Sequence, residues 1–234
     1  MSSTSKEWMS NFEKVKYLLT PIYDLESAFE NRKINDAELD VLEIGNVNIS
    51  SGDIIAIDPL SCNDDDYLPF FRKVPTGKHK VSILIDKEES DYALVRVSFS
   101  ENKPTQYEIA LTGEEDFSDI EENDFFGFNV DAGMACVCDK DAFKEYIKFR
   151  ESFDNIYDEY FDELLTKNAI ENPKYQKEYG DWLNWTIPNT EHNIVMFTSG
   201  YGDGCYPAYF GIDENNNICA LYIMFIDLTN SEEE

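Results

Sequence analysis

The stretch "KHKVSILIDKEESDYALVRVSFS", residues 78–100, decides the fold class of this 234-residue chain. Its two runs, "KHKVSILID" and "YALVRVSFS", place apolar residues at alternate positions, as strands with one buried face do. The polar segment "KEESD" between them is typical of a turn. A third run, "TQYEIAL", follows the turn "ENKP" at residues 101–104. The three runs predict an antiparallel meander.

Strand patterns also occur on both sides of this stretch. Two lie before it: "VLEIGNVNI" at 41–49, with a predicted turn at Gly45, and a buried strand within "SGDIIAIDPL" at 51–60. Five follow it: "FFGFNV", "GMACVC", "NIVMFTS", "YPAYFGI" and "ICALYIMFIDL". The last two are joined by "DENNN", residues 213–217, which predicts a hairpin.

Helical patterns are few. Ser3, Thr4 or Ser5 can cap a first helix that ends before Pro21. Residues 139–166 predict one long helix, because aromatic residues recur there at spacings of three and four and form one apolar face. A short helix is predicted within "NPKYQKEYGDWLNW", residues 172–185.

Strands grouped around few helices predict an α+β fold with a mostly antiparallel sheet, either single or split into two packed sheets. The predicted organisation has three parts. Residues 1–40 form an N-terminal helical segment, residues 41–230 form a single α+β domain, and residues 231–234 form a frayed acidic tail.

The charge limits the possible partners. The chain has 48 Asp and Glu against 19 Lys and Arg, a formal net charge of -29. Such a surface repels nucleic-acid phosphates and anionic lipids, so we expect neither nucleic acid nor a membrane as a direct partner. It favours a basic protein partner, and it can imitate a nucleic-acid backbone toward a nuclease. Solubility alone is the other explanation, and the oligomeric state stays open.

The compartment follows from two further features. No run approaches the ~20 apolar residues of a membrane helix, and the first residues lack an apolar signal core. The five cysteines, an odd number, are expected to be buried free thiols rather than disulfides. They are Cys62, Cys136, Cys138, Cys205 and Cys219. A soluble cytoplasmic protein is predicted.

The usual ligand motifs fail in this sequence. The glycines of "GYGDG", residues 200–204, precede a strand pattern, whereas a dinucleotide or P-loop motif must open a helix. "DENNN" lacks the Gly and Glu that a calcium loop needs. His79 and His192 are the only histidines, and we expect both on the surface, so zinc and a Ser-His triad lack support. No metal or cofactor is assigned.

Loop carboxylates remain as candidate catalytic residues: Asp58, Asp131 and Asp203. Glycine-flanked aspartates are common turn formers, because Asp bonds nearby backbone and Gly accepts positive φ. Alternatively, the three carboxylates converge on a divalent cation. The candidate ligand-binding residues lie in the glycine-rich turn: Ser199, Gly200, Gly202, Asp203, Gly204 and Tyr206.

Five blocks in order resemble the mainly bacterial family known as domain of unknown function 4241. They are "SGDIIAIDPL", "PTGKHKVSILI", "VRVSFSENKPTQYEIAL", "NVDAGMACVCD" and "SGYGDGCYPAYFGID", the last followed by "FIDL". The resemblance covers about residues 45–228. It implies that Asp58, Pro59, Asp131, Gly133 and Gly211, together with the turn residues above, occupy motif positions. It implies no reaction.

Two functions are therefore carried forward. The first is a non-catalytic interaction protein, of the immunity or inhibitor type, that engages a basic partner. The second is a hydrolase or small-ligand binder that uses the loop aspartates around the glycine-rich turn, with or without a divalent cation.

Overall fold

The computed structural model describes residues 4–35, 37–62, 67–121 and 124–229. The predicted frayed tail, 231–234, lies outside the described residues. The fold is α+β, with mostly antiparallel sheets. The helices are α1 (Lys6–Val15), α2 (Leu25–Asn31), α3 (Lys140–Arg150) and α4 (Asp162–Glu171), the last continuing a π-helical turn at Tyr157–Phe161.

Thirteen strands follow one another along the described chain. In chain order they are β1 (Lys33–Ile34), β2 (Ala37–Ile49), β3 (Ile54–Ile57), β4 (Gly77–Asp86), β5 (Tyr92–Ser98), β6 (Gln106–Ile109), β7 (Phe128–Val130), β8 (Met134–Asp139), β9 (Trp182–Thr186), β10 (Asn193–Thr198), β11 (Gly204–Tyr206), β12 (Ala208–Ile212) and β13 (Ile218–Met224). The predicted β patterns therefore become strands.

Three antiparallel sheets form from these strands. The large sheet has seven strands in the order β1-β2-β4-β5-β13-β12-β6. The small sheet has four, in the order β3-β8-β10-β9, and β7 pairs with β11 in a two-stranded ribbon. Of the predicted pairings, β4 with β5 and β12 with β13 are confirmed.

The small sheet is buried on both faces. Alternate residues, such as Val137 and Val195, face a core shared with the large sheet and with Phe12 of α1. The intervening residues, such as Met196, face a second core against α3 and α4. The molecule is therefore layered: large sheet, small sheet, helices. The N-terminal helices pack on the first of the two cores.

Asp139 fixes the start of α3. Its carboxylate accepts a bond from the amide of Asp141 at 2.9 Å, which caps the helix. The same side chain, fully buried, also accepts bonds from the amides and hydroxyls of Ser50 and Ser51. Because five donors converge on one carboxylate, α3 is tied to the loop before β3.

The structure corrects several local predictions. Strand β6 pairs with β12 rather than β5, because β13 occupies the place beside β5, so the three-stranded meander was wrong. Gly45 is a bulge within the long strand β2, not a turn. Residues 139–166 are not one helix, because the chain leaves helical geometry between Arg150 and Tyr157. The long amphipathic helix is the second part, residues 157–171.

Two further differences concern short segments. The predicted helix within 172–185 is wrong: these residues form turns and then β9. In contrast, α2 was missed, although Asp24 caps it by accepting a bond from the amide of Ser27 at 3.1 Å. Among the described residues, we find no helix with the length and apolar character needed to cross a membrane.

Candidate functional site

Asp58 joins two of the loops that carry candidate residues. Its carboxylate is 1% exposed. One oxygen accepts bonds from the amides of Leu60 and Ser61, at 2.8 and 3.2 Å. The other accepts bonds from the amides of Asp131 and Ala132, at 2.9 and 2.7 Å. Four amide donors saturate a carboxylate, so Asp58 connects the end of β3 to the loop between β7 and β8.

Gly133 connects that loop to the glycine-rich turn. Its amide donates to the Asp203 carboxylate at 3.0 Å, and its carbonyl accepts a bond from the Ser199 amide at 3.2 Å. The structure therefore brings the loops of all three candidate aspartates together. They meet through carboxylate-to-amide bonds rather than around a shared space between carboxylates.

The glycine-rich turn is held by bonds to one carbonyl. Gly202 O accepts the hydroxyl of buried Ser199 and the hydroxyl of Tyr206, both at 2.7 Å. Gly200 has a φ of +61°, and a Cβ there would lie 3.2 Å from Tyr92 O, so this position requires glycine. The polar groups of three predicted ligand-binding residues, Ser199, Gly202 and Tyr206, are therefore bonded within the turn itself.

Asp131 and Asp203 are both exposed, whereas Asp58 is buried, and of the two exposed aspartates only Asp131 lines the cleft between the edge of β3 and strand β7. The volume of this cleft is about 380 Å³. The cleft has an apolar floor that includes Leu68 and Phe128, and polar groups from Ser61 and Asn129. Asp58 lies in its wall, but neither Asp203 nor Tyr206 is among the lining residues. This cleft offers one exposed carboxylate and space for a small ligand.

The His, Cys, Asp and Glu side chains of the described residues do not form a metal site. Among those residues, no set of three or more His, Cys, Asp and Glu side chains is arranged to hold a metal ion. The pair Cys136 and Cys138 lies buried on β8, and burial raises the pKa of the Cys136 thiol well above its usual value. Such thiols behave as core residues.

The cysteines and His79 differ in exposure from what the sequence predicts in two cases. All five cysteines are free, as predicted, and four of them are buried, Cys205 being exposed. The prediction of a surface His79 was wrong: its side chain is buried, with Nε2 2.7 Å from Pro75 O. Burial lowers the pKa of His79, so the ring is neutral near pH 7.

A larger cavity lies at the C-terminal end of α3. It has a volume of about 630 Å³, and its lining includes Leu60, Cys62, Arg150, Asp154 and Tyr157. Arg150 points its guanidinium at the carbonyls of Leu60, at 3.2 Å, and of Cys62. Burial raises the pKa of Cys62 to about 12, against the opposing effect of Arg150. The thiol therefore stays protonated at neutral pH and is a poor nucleophile.

An acidic surface adjoins this cavity. Residues 151–163, "ESFDNIYDEYFDE", contain six carboxylates and no Lys or Arg. All six are exposed: Glu151, Asp154, Asp158, Glu159, Asp162 and Glu163. We call this set the helical acidic surface, because the π-helical turn and the start of α4 carry most of it.

Aromatic rings hold the helical acidic surface on the small sheet. Trp185 of β9 lies at 5.2 Å from the ring of Phe149, 5.7 Å from Tyr160 and 5.1 Å from Phe161. Such clusters bury large areas and prefer edge contacts of this kind. The carboxylates are therefore presented on a packed support rather than on a free loop.

The sequence pattern predicted the aromatic face of these helices but not the helical acidic surface. The absence of Lys and Arg from residues 151–163 was the available signal. The cleft at Asp131 had no such signal, because it depends on how β3 and β7 approach each other in space.

Layered antiparallel sheets and three hydrogen-bonded loops, at Asp58, at Gly133 and at Asp203, define the class of protein: an α+β domain whose Asp and Gly loops are joined by carboxylate-to-amide bonds. A family model matches residues 47–223 of the chain, and its description is "Protein of unknown function (DUF4241)". The chain belongs to this family. No curated protein and no solved structure matches it.

Proposed function

We propose that this chain is a non-catalytic interaction protein whose helical acidic surface binds a basic protein partner. The observation that carries the proposal is the group of six exposed carboxylates, without Lys or Arg, within residues 151–163. Clustered negative charges make the local electrostatic potential strongly negative and speed the approach of a positively charged partner.

The packing beneath the surface supports the same proposal. A rigid surface loses less conformational entropy on binding than a mobile one. Phe149, Tyr160 and Phe161 anchor the segment on Trp185, so the backbone that carries the carboxylates is held in place before a partner arrives. An inhibitor or immunity protein directed at a basic enzyme needs this kind of surface. The five free thiols fit our proposal of a cytoplasmic location.

The alternative, a hydrolase or metal-dependent ligand binder, has weaker support. Asp58 and Asp203 already accept amide bonds that join the loops. A general base or metal ligand needs a carboxylate oxygen that faces the substrate. Asp131 is the one exposed carboxylate that lines the cleft, and a single carboxylate supports catalysis less well than the six exposed carboxylates support binding of a partner.

The test compares three proteins. In the surface variant, the six carboxylates become amides: E151Q, D154N, D158N, E159Q, D162N and E163Q. Amides keep the acceptors that bond Asn155 at Asp158 and Glu159. In the control variant, six exposed glutamates elsewhere become Gln: Glu7, Glu88, Glu89, Glu101, Glu178 and Glu214. Both variants change the net charge equally.

Each protein is immobilised and used to capture basic proteins from a cell extract, and the captured protein is then purified and titrated by calorimetry. We expect the surface variant to bind on the order of a hundredfold more weakly than the wild type, since six exposed charges each contribute a few tenths of a kcal/mol or more. The control should bind normally, and binding should weaken at about 1 M salt. Equal affinity of all three proteins, or no effect of salt, contradicts the proposal.

A further inference from the structure

A groove lies on the face of the large sheet that carries Lys80, Arg96 and Tyr222. We call this the outer groove. Its volume is about 570 Å³, and it lies between α2, the start of β4 and the loop at residues 99–103. The proposed function does not use it.

The register of the large sheet creates the outer groove. Lys80, Ser98 and Ala220 are cross-strand neighbours on β4, β5 and β13, so their side chains share one row of this face. The next row is built from larger groups, with Arg96 opposite Tyr222. Small side chains at Ser98 and Ala220 leave a depression beside that wall.

The wall of the outer groove is rigid. Glu26 of α2 accepts two bonds from Arg96 Nη1, both 2.8 Å long, and a third from the Tyr222 hydroxyl at 2.5 Å. The Arg96 guanidinium also lies 4.2 Å from the centroid of the Phe29 ring. Charge-assisted bonds and stacking of this kind fix a guanidinium in one orientation.

The charge of the outer groove differs from that of the chain. Its lining includes four cations, Lys78, Lys80, Arg96 and Lys103, and three carboxylates, Glu26, Glu30 and Glu101. Over the whole chain, acids outnumber Lys and Arg by 48 to 19. Cationic side chains therefore outnumber acidic ones in the lining of the outer groove, whereas acidic residues outnumber cationic ones over the whole chain.

Pairing leaves two lysines open to a ligand. Arg96 and Lys103 are neutralised by Glu26 and Glu30, at 2.8 and 2.5 Å. Lys80 lies 3.1 Å from Glu43, with both side chains more than half exposed, and such a pair is weak in water. Lys78 is exposed at the rim. The net charge of the protein does not prevent an anion from binding here, because distant charges are screened beyond ~8 Å at physiological salt.

We propose that the outer groove binds a small oxyanion, the carboxylate or phosphate group of a small molecule. Lys78 and Lys80 supply the charge, and the Ser98 hydroxyl on the floor supplies a hydrogen bond. The fixed wall of Arg96 and Tyr222 limits the ligand to one that fits beside it.

The test uses NMR spectra of the full chain titrated with inorganic phosphate and, separately, with succinate, at constant ionic strength. We expect saturable shifts of the amides of Lys80, Ser98 and Ala220. The K78Q/K80Q variant should weaken this binding by about tenfold, as expected for two exposed charges. The control K6Q/K167Q removes the same charge and matches it closely, since Lys167 also has a weak exposed pair, with Glu171 at 3.9 Å.

A second variant tests the shape of the site. Ser98→Leu keeps every charge but fills the floor, and we expect it to abolish the shifts. A response to phosphate alone identifies a phosphorylated ligand, and a response to succinate alone identifies a carboxylate. Absence of saturable shifts with both anions, or equal weakening in K78Q/K80Q and K6Q/K167Q, overturns the proposal.

Discussion

Ser82 and Ser199 are buried serines with opposite hydrogen-bonding states. Ser199 is fully buried, and its hydroxyl donates to Gly202 O at 2.7 Å. Ser82 is 1% exposed, and its hydroxyl has no hydrogen-bond partner among the described residues. A buried polar group without a partner costs free energy, whereas a bonded one contributes to stability. The same substitution should therefore have different effects at the two positions.

We expect Ser199→Ala to lower the free energy of unfolding by about 1 kcal/mol, because Gly202 O loses a donor inside the glycine-rich turn. Ser82→Ala should leave the free energy of unfolding unchanged or raise it by up to about 1 kcal/mol, because it removes an unsatisfied hydroxyl. Urea denaturation with matched slopes measures both values. Equal losses at the two positions would show that Ser82 has a partner in solution.

Asn184 and Asn193 connect the small sheet to the large sheet at the level of strands. Asn184 Nδ2 donates to the carbonyls of Ile44 and Asn46 on β2, at 3.1 and 3.0 Å. Asn193 Nδ2 donates to Asn46 O at 2.8 Å and to Asn184 Oδ1 at 2.7 Å. These amides from β9 and β10 therefore bond the bulged part of β2. Gly45 fits beneath them only without a side chain, since a Cβ would lie 2.6 Å from Asn184 Nδ2.

Asn184→Ala should lower the free energy of unfolding by about 2 kcal/mol, because Ile44 O loses its side-chain donor, Asn46 O loses one of two, and Asn193 Nδ2 loses an acceptor. Gly45→Ala should also destabilise, through both its φ of +99° and the contact with Asn184. In the double variant the contact is relieved, so we expect the two losses to sum to more than the measured loss. Asn215→Ala, at an exposed turn, serves as the control. Strict additivity would mean that the two residues do not touch.

Strands β12 and β13 show which parts of the fold the sequence predicts. The hairpin at "DENNN" was predicted from turn-type residues between two strand patterns, and the structure shows why this local signal suffices: Asp213 bonds the nearby amides of Asn215 and Asn217. The insertion of β13 beside β5 was not, because no local pattern encodes which distant strand completes a sheet. The same limit applies to the sites. Asp58, Asp131 and Asp203 were recognisable as turn residues, but the outer groove exists only through the pairing of β5 with β13.

The net charge of -29 is a property of the whole molecule. Self-repulsion destabilises a compact state, and salt screens it. Most ion pairs, such as Lys16 with Glu13, are well exposed and contribute little that salt could remove. Repulsion among the excess acids should therefore dominate the response of the protein to salt.

We expect the melting temperature to rise by about 5 °C between about 0.01 M and about 1 M sodium chloride, as relief of ~2 kcal/mol would produce in a chain of this size. Differential scanning calorimetry measures the change. Potassium chloride is the control, because a screening effect does not depend on which of the two cations is used. A melting temperature that falls with salt would mean that ion pairs outweigh the repulsion.

The asparagine bridge to β2 has a consequence for how the protein is made. Strand β2 leaves the ribosome well before the side chains that bond its bulge, because Asn184 follows Ile44 by 140 positions and Asn193 follows Asn46 by 147. The neighbour of β5 arrives later still, as β13. Since pairing across such sequence distances is slow and leaves strand edges open meanwhile, the large sheet cannot close before β13 has left the ribosome, nor the small sheet before β9 and β10 have done so. Until β13 emerges, the edge of β5 stays open, and the negative charge of the chain opposes its pairing with other copies there.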